Sequence, residues 1–302
     1  MRFLVIGGTK FIGPYVVRQL VDQGHEVTVY HRGQTEADLP TSVRRVLSPL
    51  ASMPVISFPD EILMEPFDAV IHMIAMGEAD ARAAVRAFRG RAARLVVLSS
   101  GDVYRAYGRF TQLEPGPLEQ GLLLEESPLR SVLYPYRKQA ASPDDWAYHY
   151  EKILVEREVL GEPTLPATVL RLPKVYGPGG NADLATVYSM RNHPQWRWTH
   201  GYVENVAAAI VLAATHPAAA SRVYNVGEAQ TPTVAERLAG LPPSSVATDE
   251  SSAYDFAQGI AYDTRRIRSE LDYKEVVSYE EGLRQTLGSR EQRLGGPRRF
   301  QE

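Results

Sequence analysis

The chain has 302 residues, 44% of them apolar, with 33 Lys and Arg against 36 Asp and Glu for a net charge of −3. That length can bury a large core in one domain or two, and the near balance of charge gives no general pull toward nucleic acid or anionic lipid. The absence of cysteine excludes disulfides, thiolate nucleophiles and cysteine metal sites, and the seven histidines form no H-E-x-x-H pair, so no catalytic metal is expected.

Phe3, Leu4, Val5 and Ile6 predict a short strand, ended by Gly7 and Gly8. A helical apolar pattern then opens at Phe11 and Ile12 and runs through Val16, Val17, Leu20 and Val21 to Gly24. A second strand is expected over 26–30. This is a βαβ unit. Its turn carries the chemistry, because a helix N-terminus offers unpaired N–H groups and partial positive charge, and glycines let a pyrophosphate come close. Gly7 and Gly13 stand six residues apart, with Lys10 where a third glycine would complete G-x-x-G-x-x-G. Lys10 either crowds the phosphates or adds its charge to them. A dinucleotide site is the expectation; an apolar strand–turn–helix without nucleotide is the plain alternative.

The end of the second strand separates the cofactors. An acid there holds the ribose hydroxyls of NAD, and an arginine suits the 2′-phosphate of NADP. The sequence reads Val29-Tyr30-His31-Arg32-Gly33, with no acid. Arg32 therefore favours NADP and leaves NAD open, with an ordinary solvated arginine as the alternative. The sequence enters this strand at once, without a secretory pattern or a membrane-length apolar run, so a cytoplasmic location is expected.

Residues 40–66 read as irregular, with a strand at 43–47. A buried strand is expected over 67–75, a helix over 79–90 and a strand over 94–99 that ends in Ser99-Ser100-Gly101-Asp102. In open parallel sheets ligands bind outside such strand ends. A long proline- and glycine-bearing excursion follows over 104–141, a length that suggests it serves or covers a site. Ser142-Pro143-Asp144-Asp145 then marks a helix start, and the helix should run to Leu160.

On one helix, Tyr148 and Lys152 share a face and Tyr150 points elsewhere. A second pair, Tyr134 and Lys138, contains Pro135 and precedes the helix start, so it is set aside. A tyrosine has a pKa of about 10, and lowering it to about 7 takes on the order of 4 kcal/mol. A lysine ammonium one turn away, with a cationic nicotinamide, supplies that stabilisation. A serine hydroxyl can hold the reacting oxygen while Tyr148 exchanges its proton. Beyond this, the expectations are a helix over 202–214, a strand over 222–226, a helix over 232–241, a polar lip over 248–260 and a frayed end over 295–302.

These stretches resemble the NAD-dependent epimerase/dehydratase family of the extended short-chain dehydrogenase/reductase superfamily. The likeness rests on GGTKFIG at 7–13, DAVIHMIA at 68–75, LSSGDVY at 98–104, Tyr148-x-x-x-Lys152 with ILVE, LRLPKVYGPG at 170–179, YVENVAAAI at 202–210, YNVG at 224–227 and EEGLRQTL at 280–287. It implies an α/β fold: a Rossmann-type doubly wound parallel sheet from 1–171 with 199–226, and a smaller substrate-binding region from 172–198 with 227–290. It implies catalytic roles for Ser100, Tyr148, Lys152 and Asp102, and a cofactor site of Gly7, Thr9, Lys10, Phe11, Ile12, Gly13, Arg32, Ala75 and Lys152. Lys174, Asn181 and Arg197 are the expected substrate contacts. The chain departs from the family at Lys10, at Ile74 in the His-x-Ala-Ala run, and at Lys174, where nucleotide-sugar epimerases carry asparagine. Gly101-Asp102 stands where sugar dehydratases carry an Asp-Glu pair, which argues against full dehydratase chemistry. Trp196 and Trp198 read equally as buried anchors or as a stacking wall.

The expected function is hydride transfer at a secondary alcohol or ketone of a sugar-like small molecule, with NAD(P) as cofactor, NADP favoured, and Tyr148 as acid/base. The expected partners are the substrate and a second copy of the chain, with no nucleic acid and no membrane. A nucleotide- or RNA-binding member of the same superfamily with little redox activity is the second reading.

Overall fold

Strand β1 (Arg2–Ile6) turns Phe3 and Val5 to one face of a sheet and Leu4 and Ile6 to the other, and all four are fully buried. A strand covered on both faces belongs inside a parallel sheet with helices on either side. The computed structural model, which describes residues 1–35, 37–49, 53–182, 184–251 and 253–295, has that architecture. Helix α1 (Ile12–Asp22) follows the glycine turn, then β2 (Glu26–His31), β3 (Arg44–Leu47), a single helical turn α2 (Asp60–Leu63) and β4 (Ala69–His72). Next come α3 (Glu78–Phe88), β5 (Leu95–Ser100) and α4 (Arg105–Phe110). Helices α5 (Trp146–His149) and α6 (Lys152–Leu160) precede β6 (Ala167–Leu172) and β7 (Lys174–Tyr176). The rest is α7 (Ala185–Tyr188), β8 (His200–Tyr202), α8 (Val203–Thr215), β9 (Arg222–Asn225), α9 (Val234–Ala239), α10 (Arg265–Leu271) and α11 (Tyr279–Gly295).

Seven strands pair in the order β3-β2-β1-β4-β5-β6-β9, every ladder parallel. Val16, Val17 and Leu20 of α1 and Val206 and Ile210 of α8 cover one face; Ala81, Ala84 and Phe88 of α3 and Val155 and Val159 of α6 cover the other. The chain leaves β1 in one direction along the sheet and reaches β4 in the other. The crevice beyond their carboxyl ends is where such sheets take ligands. A two-stranded parallel ribbon, β7 with β8, stands outside the main sheet.

The excursion over 104–141 is not structureless. It opens with α4 and is tied down by Arg130, whose guanidinium meets the Glu151 carboxylate at 3.0 Å with both side chains fully buried. Glu114 accepts from the backbone N–H of Ser131 and Val132 at 2.9 Å. The polar lip expected over 248–260 is anchored too: Tyr254 stacks on Phe110 at 4.8 Å, Phe256 packs edge-on to Trp196, and Ile260 is fully buried. Of the expected frayed end, α11 reaches Gly295 and 296–302 lie outside the described residues. Among the described residues no helix is long and apolar enough to cross a membrane.

Candidate functional site

The glycine turn keeps its tight shape without a third glycine. Gly7 has a φ of +97°, and a Cβ at Gly13 would fall on the backbone of Gly8. Lys10 contributes its carbonyl, which accepts from Gly13 N–H at 2.9 Å, while its side chain stands exposed at the rim. Gly7, Thr9, Lys10, Phe11, Ile12 and Arg32 border one groove of about 370 Å³, joined by Ile74 and Leu98 from the ends of β4 and β5. A pyrophosphate over a helix N-terminus needs such a cradle. The residues present fit a dinucleotide, and Lys10 adds charge at the rim instead of filling the cradle.

Phe11 and Ile12 also border a second cavity of about 430 Å³, lined further by Ser100, Asp102, Tyr136, Lys174, Asn181, Trp198 and Tyr262. Here β5 ends. Ser100 caps the following turn, its Oγ accepting from Asp102 N–H at 3.3 Å. Asp102 is 3% exposed, and its Oδ2 accepts from Tyr150 at 2.8 Å and from Tyr136 at 3.0 Å. Oδ1 has no hydrogen-bond partner. Tyr107 joins through a 3.1 Å contact with the Tyr136 hydroxyl, and Tyr150 shares a hydrogen bond with Ser100. Burial pushes the Asp102 carboxyl above its ordinary range, against the pull of Arg130 and the two phenols. Burial likewise pushes the Tyr150 hydroxyl well up, reinforced by Asp102.

The single helix expected to carry Tyr148 and Lys152 is a correction. The chain forms α5, breaks at Tyr150 and Glu151, and restarts at Lys152. The N-cap of α5 is Asp145, accepting from Ala147 N–H at 3.0 Å, and not Ser142. Three contacts explain the break. Glu151 N–H donates to the Met76 carbonyl at 2.9 Å, the Glu151 carboxylate caps Ile153 N–H at 3.0 Å, and the same carboxylate pairs with Arg130. Gly77 lies against the His149 carbonyl, too close for a Cβ. Tyr148 therefore does not share a helix face with Lys152. Its ring lies 4.8 Å from the Arg137 guanidinium carbon and 5.0 Å from the His149 ring. The tyrosine expected to point elsewhere, Tyr150, is the one beside Ser100 and Asp102, its ring 5.5 Å from Lys152 Nζ.

Lys152 Nζ donates to the carbonyls of Ala75 at 2.6 Å and Leu98 at 3.0 Å, joining the ends of β4 and β5 beneath the groove. Burial pulls its pKa down to about 8, opposed by Asp102, Asp80 and Glu156. His72, at the β4 end, is fully buried, and burial followed by Lys152 lowers its pKa to about 3, so it is neutral.

Of the expected substrate contacts, Lys174 and Asn181 border the second cavity, and Lys174 Nζ stands 5.4 Å from the Trp198 ring. Arg197 is exposed and bonds the Thr231 carbonyl at 2.5 Å, with Glu236 at 3.9 Å. The tryptophans divide between their two readings: Trp196 is core, donating to the Gln258 carbonyl at 2.8 Å, and Trp198 is wall. The glycine at 101 also has a cause, since its Cβ would collide with the Tyr262 hydroxyl. Sequence reasoning missed Tyr136, Tyr150 and Tyr262. A signal existed for two of them, in the four tyrosines between 134 and 150.

A sequence model described as the NAD dependent epimerase/dehydratase family matches residues 3–227. A 2′-dehydrokanamycin reductase of Streptomyces kanamyceticus is 30% identical over 186 residues, 61% of this chain but only 45% of that protein, so the chain matches less than half the length of that relative. Among solved structures, the UDP-glucose 4-epimerase of Thermotoga maritima with UDP-glucose superposes with a TM-score of 0.68 at 20% identity, over 97% of this chain and 100% of that one. The UDP-glucuronic acid 4-epimerase of Bacillus cereus, in complex with UDP-glucuronic acid and NAD, gives 0.69 at 16%, over 97% and 99%. At these identities the structural likeness carries the fold alone.

Proposed function

Because the chain belongs to the NAD dependent epimerase/dehydratase family, we propose that it is an NADP-preferring oxidoreductase that reduces a ketone on a sugar-like ring. The observation that carries this reading is that Phe11 and Ile12 line both cavities, which sets the glycine groove beside the one that Ser100 borders. The glycine turn would hold the pyrophosphate, and Arg32, on the rim of the same groove, would face the 2′-phosphate. When bound, the reduced nicotinamide supplies the hydride. Ser100 holds the reacting oxygen by hydrogen bond. Trp198 offers an apolar face to a sugar ring, and Asn181 and Lys174 offer donors to its hydroxyls. Tyr148, set against Arg137 and His149, is outside this group. Net reduction is supported by Arg32 and by the similarity to a reductase.

The test has two steps. Nucleotide released from the denatured protein is identified by mass spectrometry, and the purified chain is assayed for oxidation of NADPH by 2′-dehydrokanamycin. The reading predicts little retained nucleotide, NADPH binding and turnover. NAD retained near one per chain would favour an internal redox cycle of the epimerase type, and no binding of either nucleotide would overturn the reading.

A further inference from the structure

We propose that the cavity between the β7–β8 ribbon and the α10–α11 connection is an accessory binding site for an uncharged aromatic molecule that carries one hydroxyl or N–H group. The cavity has a volume of about 350 Å³ and shares no lining residue with the glycine groove or with the cavity beside Ser100. Small-molecule sites have this form: a recess of about 300–1,000 Å³, mostly apolar, with a few polar groups that fix orientation. Four phenol rings make its walls: Tyr176 from β7, Tyr202 from β8, Tyr273 after α10 and Tyr279 at the start of α11. The Tyr176 and Tyr202 rings stand 5.7 Å apart at 58°. Gly282 lets α11 close on this wall, because a Cβ there would meet the Tyr202 ring at 2.9 Å. A flat ring gains most from such a set of faces and edges.

The polar groups of the lining decide the class of ligand. Both carboxylates are already paired: Glu228 takes the Arg237 guanidinium and the His200 N–H at 2.9 Å, and Glu275 takes Arg268 at 2.9 Å. An ion entering the cavity would lose its hydration and find no unpaired charge in return. The Asn205 amide is spent on Val277, donating to its carbonyl and accepting from its N–H, each at 2.8 Å. Three of the phenols are engaged as well: Tyr202 donates to Gln285, Tyr273 donates to the Asn205 carbonyl at 3.1 Å, and Tyr279 accepts from Arg237. Tyr176 is 3% exposed, and of the four its hydroxyl alone has no hydrogen-bond partner among the described residues. A sugar would leave most of its hydroxyls unpaired against such a wall, which is costly. A single polar group on an aromatic ring is matched by that one phenol.

The probe is 4-fluorobenzyl alcohol, titrated into the full chain and followed by 19F NMR with and without NADPH. It should bind saturably with a Kd of about 1 mM or tighter, and NADPH should leave that Kd within about twofold, since the two sites are separate. Ala229 stands exposed at the mouth. Ala229→Trp should therefore weaken the probe at least about tenfold while circular dichroism shows a folded chain. Tyr176→Phe should weaken it about fivefold, the loss of one hydrogen bond. 4-Fluorobenzylamine, nearly the same shape with a positive charge, should bind at least about tenfold more weakly than the alcohol. No saturable shift, a Kd unmoved by both substitutions, or equal binding of the amine overturns the inference. Displacement of the alcohol by NADPH would place it in the glycine groove and overturns it too. The proposed function is tested separately, by nucleotide binding and NADPH turnover, and none of these outcomes bears on it.

Discussion

The glycine turn after β1 and the acid corner after β5 border two cavities that share Phe11 and Ile12, and they are built in opposite ways. The turn is local. Gly7, Gly8 and Gly13 lie within one short stretch, and its closing hydrogen bond runs from Gly13 to Lys10. The corner is assembled from distant pieces: Asp102 from the β5 end, Tyr136 from the excursion, Tyr150 from the break between two helices, and Tyr262 from beyond β9. A local turn is fixed by residue type and spacing, whereas a corner of this kind depends on long-range polar contacts that hold each piece in place.

The strongest way to break the comparison is to cut the pin. Glu151→Ala leaves the Arg130 guanidinium buried without its partner, and such losses run to about 3–5 kcal/mol. Urea unfolding should show a loss of that size, and a loss below about 1 kcal/mol would mean that the corner stands without its ion pair.

The next effect is on pH dependence. Burial lowers the Lys152 pKa to about 8, below its unfolded value. The folded state thus carries the full penalty of a buried ammonium below pH 8, and the penalty is relieved as the pH rises toward the unfolded value. Against Lys152→Met, wild-type stability should climb through that window by about 3 kcal/mol. Parallel curves for the two proteins would contradict the assignment.

These two cases show where the sequence was readable. The sheet strands and their flanking helices follow from apolar periodicity, because each is set by its own residues and by burial on one or two faces. The helix over 142–160 misled because its N-terminal signals and its Tyr148–Lys152 spacing are locally sound. What breaks it is Glu151, whose N–H goes to Met76 and whose carboxylate goes to Arg130, partners 75 and 21 residues away. No local pattern encodes those contacts. Gly101 was legible as a departure from the dehydratase pattern but not as the space that Tyr262 fills. Lys10 could be seen to threaten the turn, but its exposure on the rim required the fold.

The smallest expected effect sharpens the other side of the comparison. Arg32 borders the glycine groove and also an outer cavity that Asp144 and Asp145 border. Arg32→Ala should reduce the preference for NADPH over NADH by about tenfold, or about 1.4 kcal/mol, in paired binding titrations. An unchanged ratio would place the choice of cofactor elsewhere.

The most direct test of the central claim is calorimetric titration of NADPH into the wild type and Gly13→Val, with circular dichroism to confirm that both are folded. A side chain at Gly13 would collide with the Gly8 backbone and force the turn out of shape. The account predicts one nucleotide per chain in the wild type and at least about a hundredfold weaker binding in the folded variant, a loss of about 2.7 kcal/mol. Equal binding by both would show that the glycine turn does not hold the cofactor, and would contradict the account at its base.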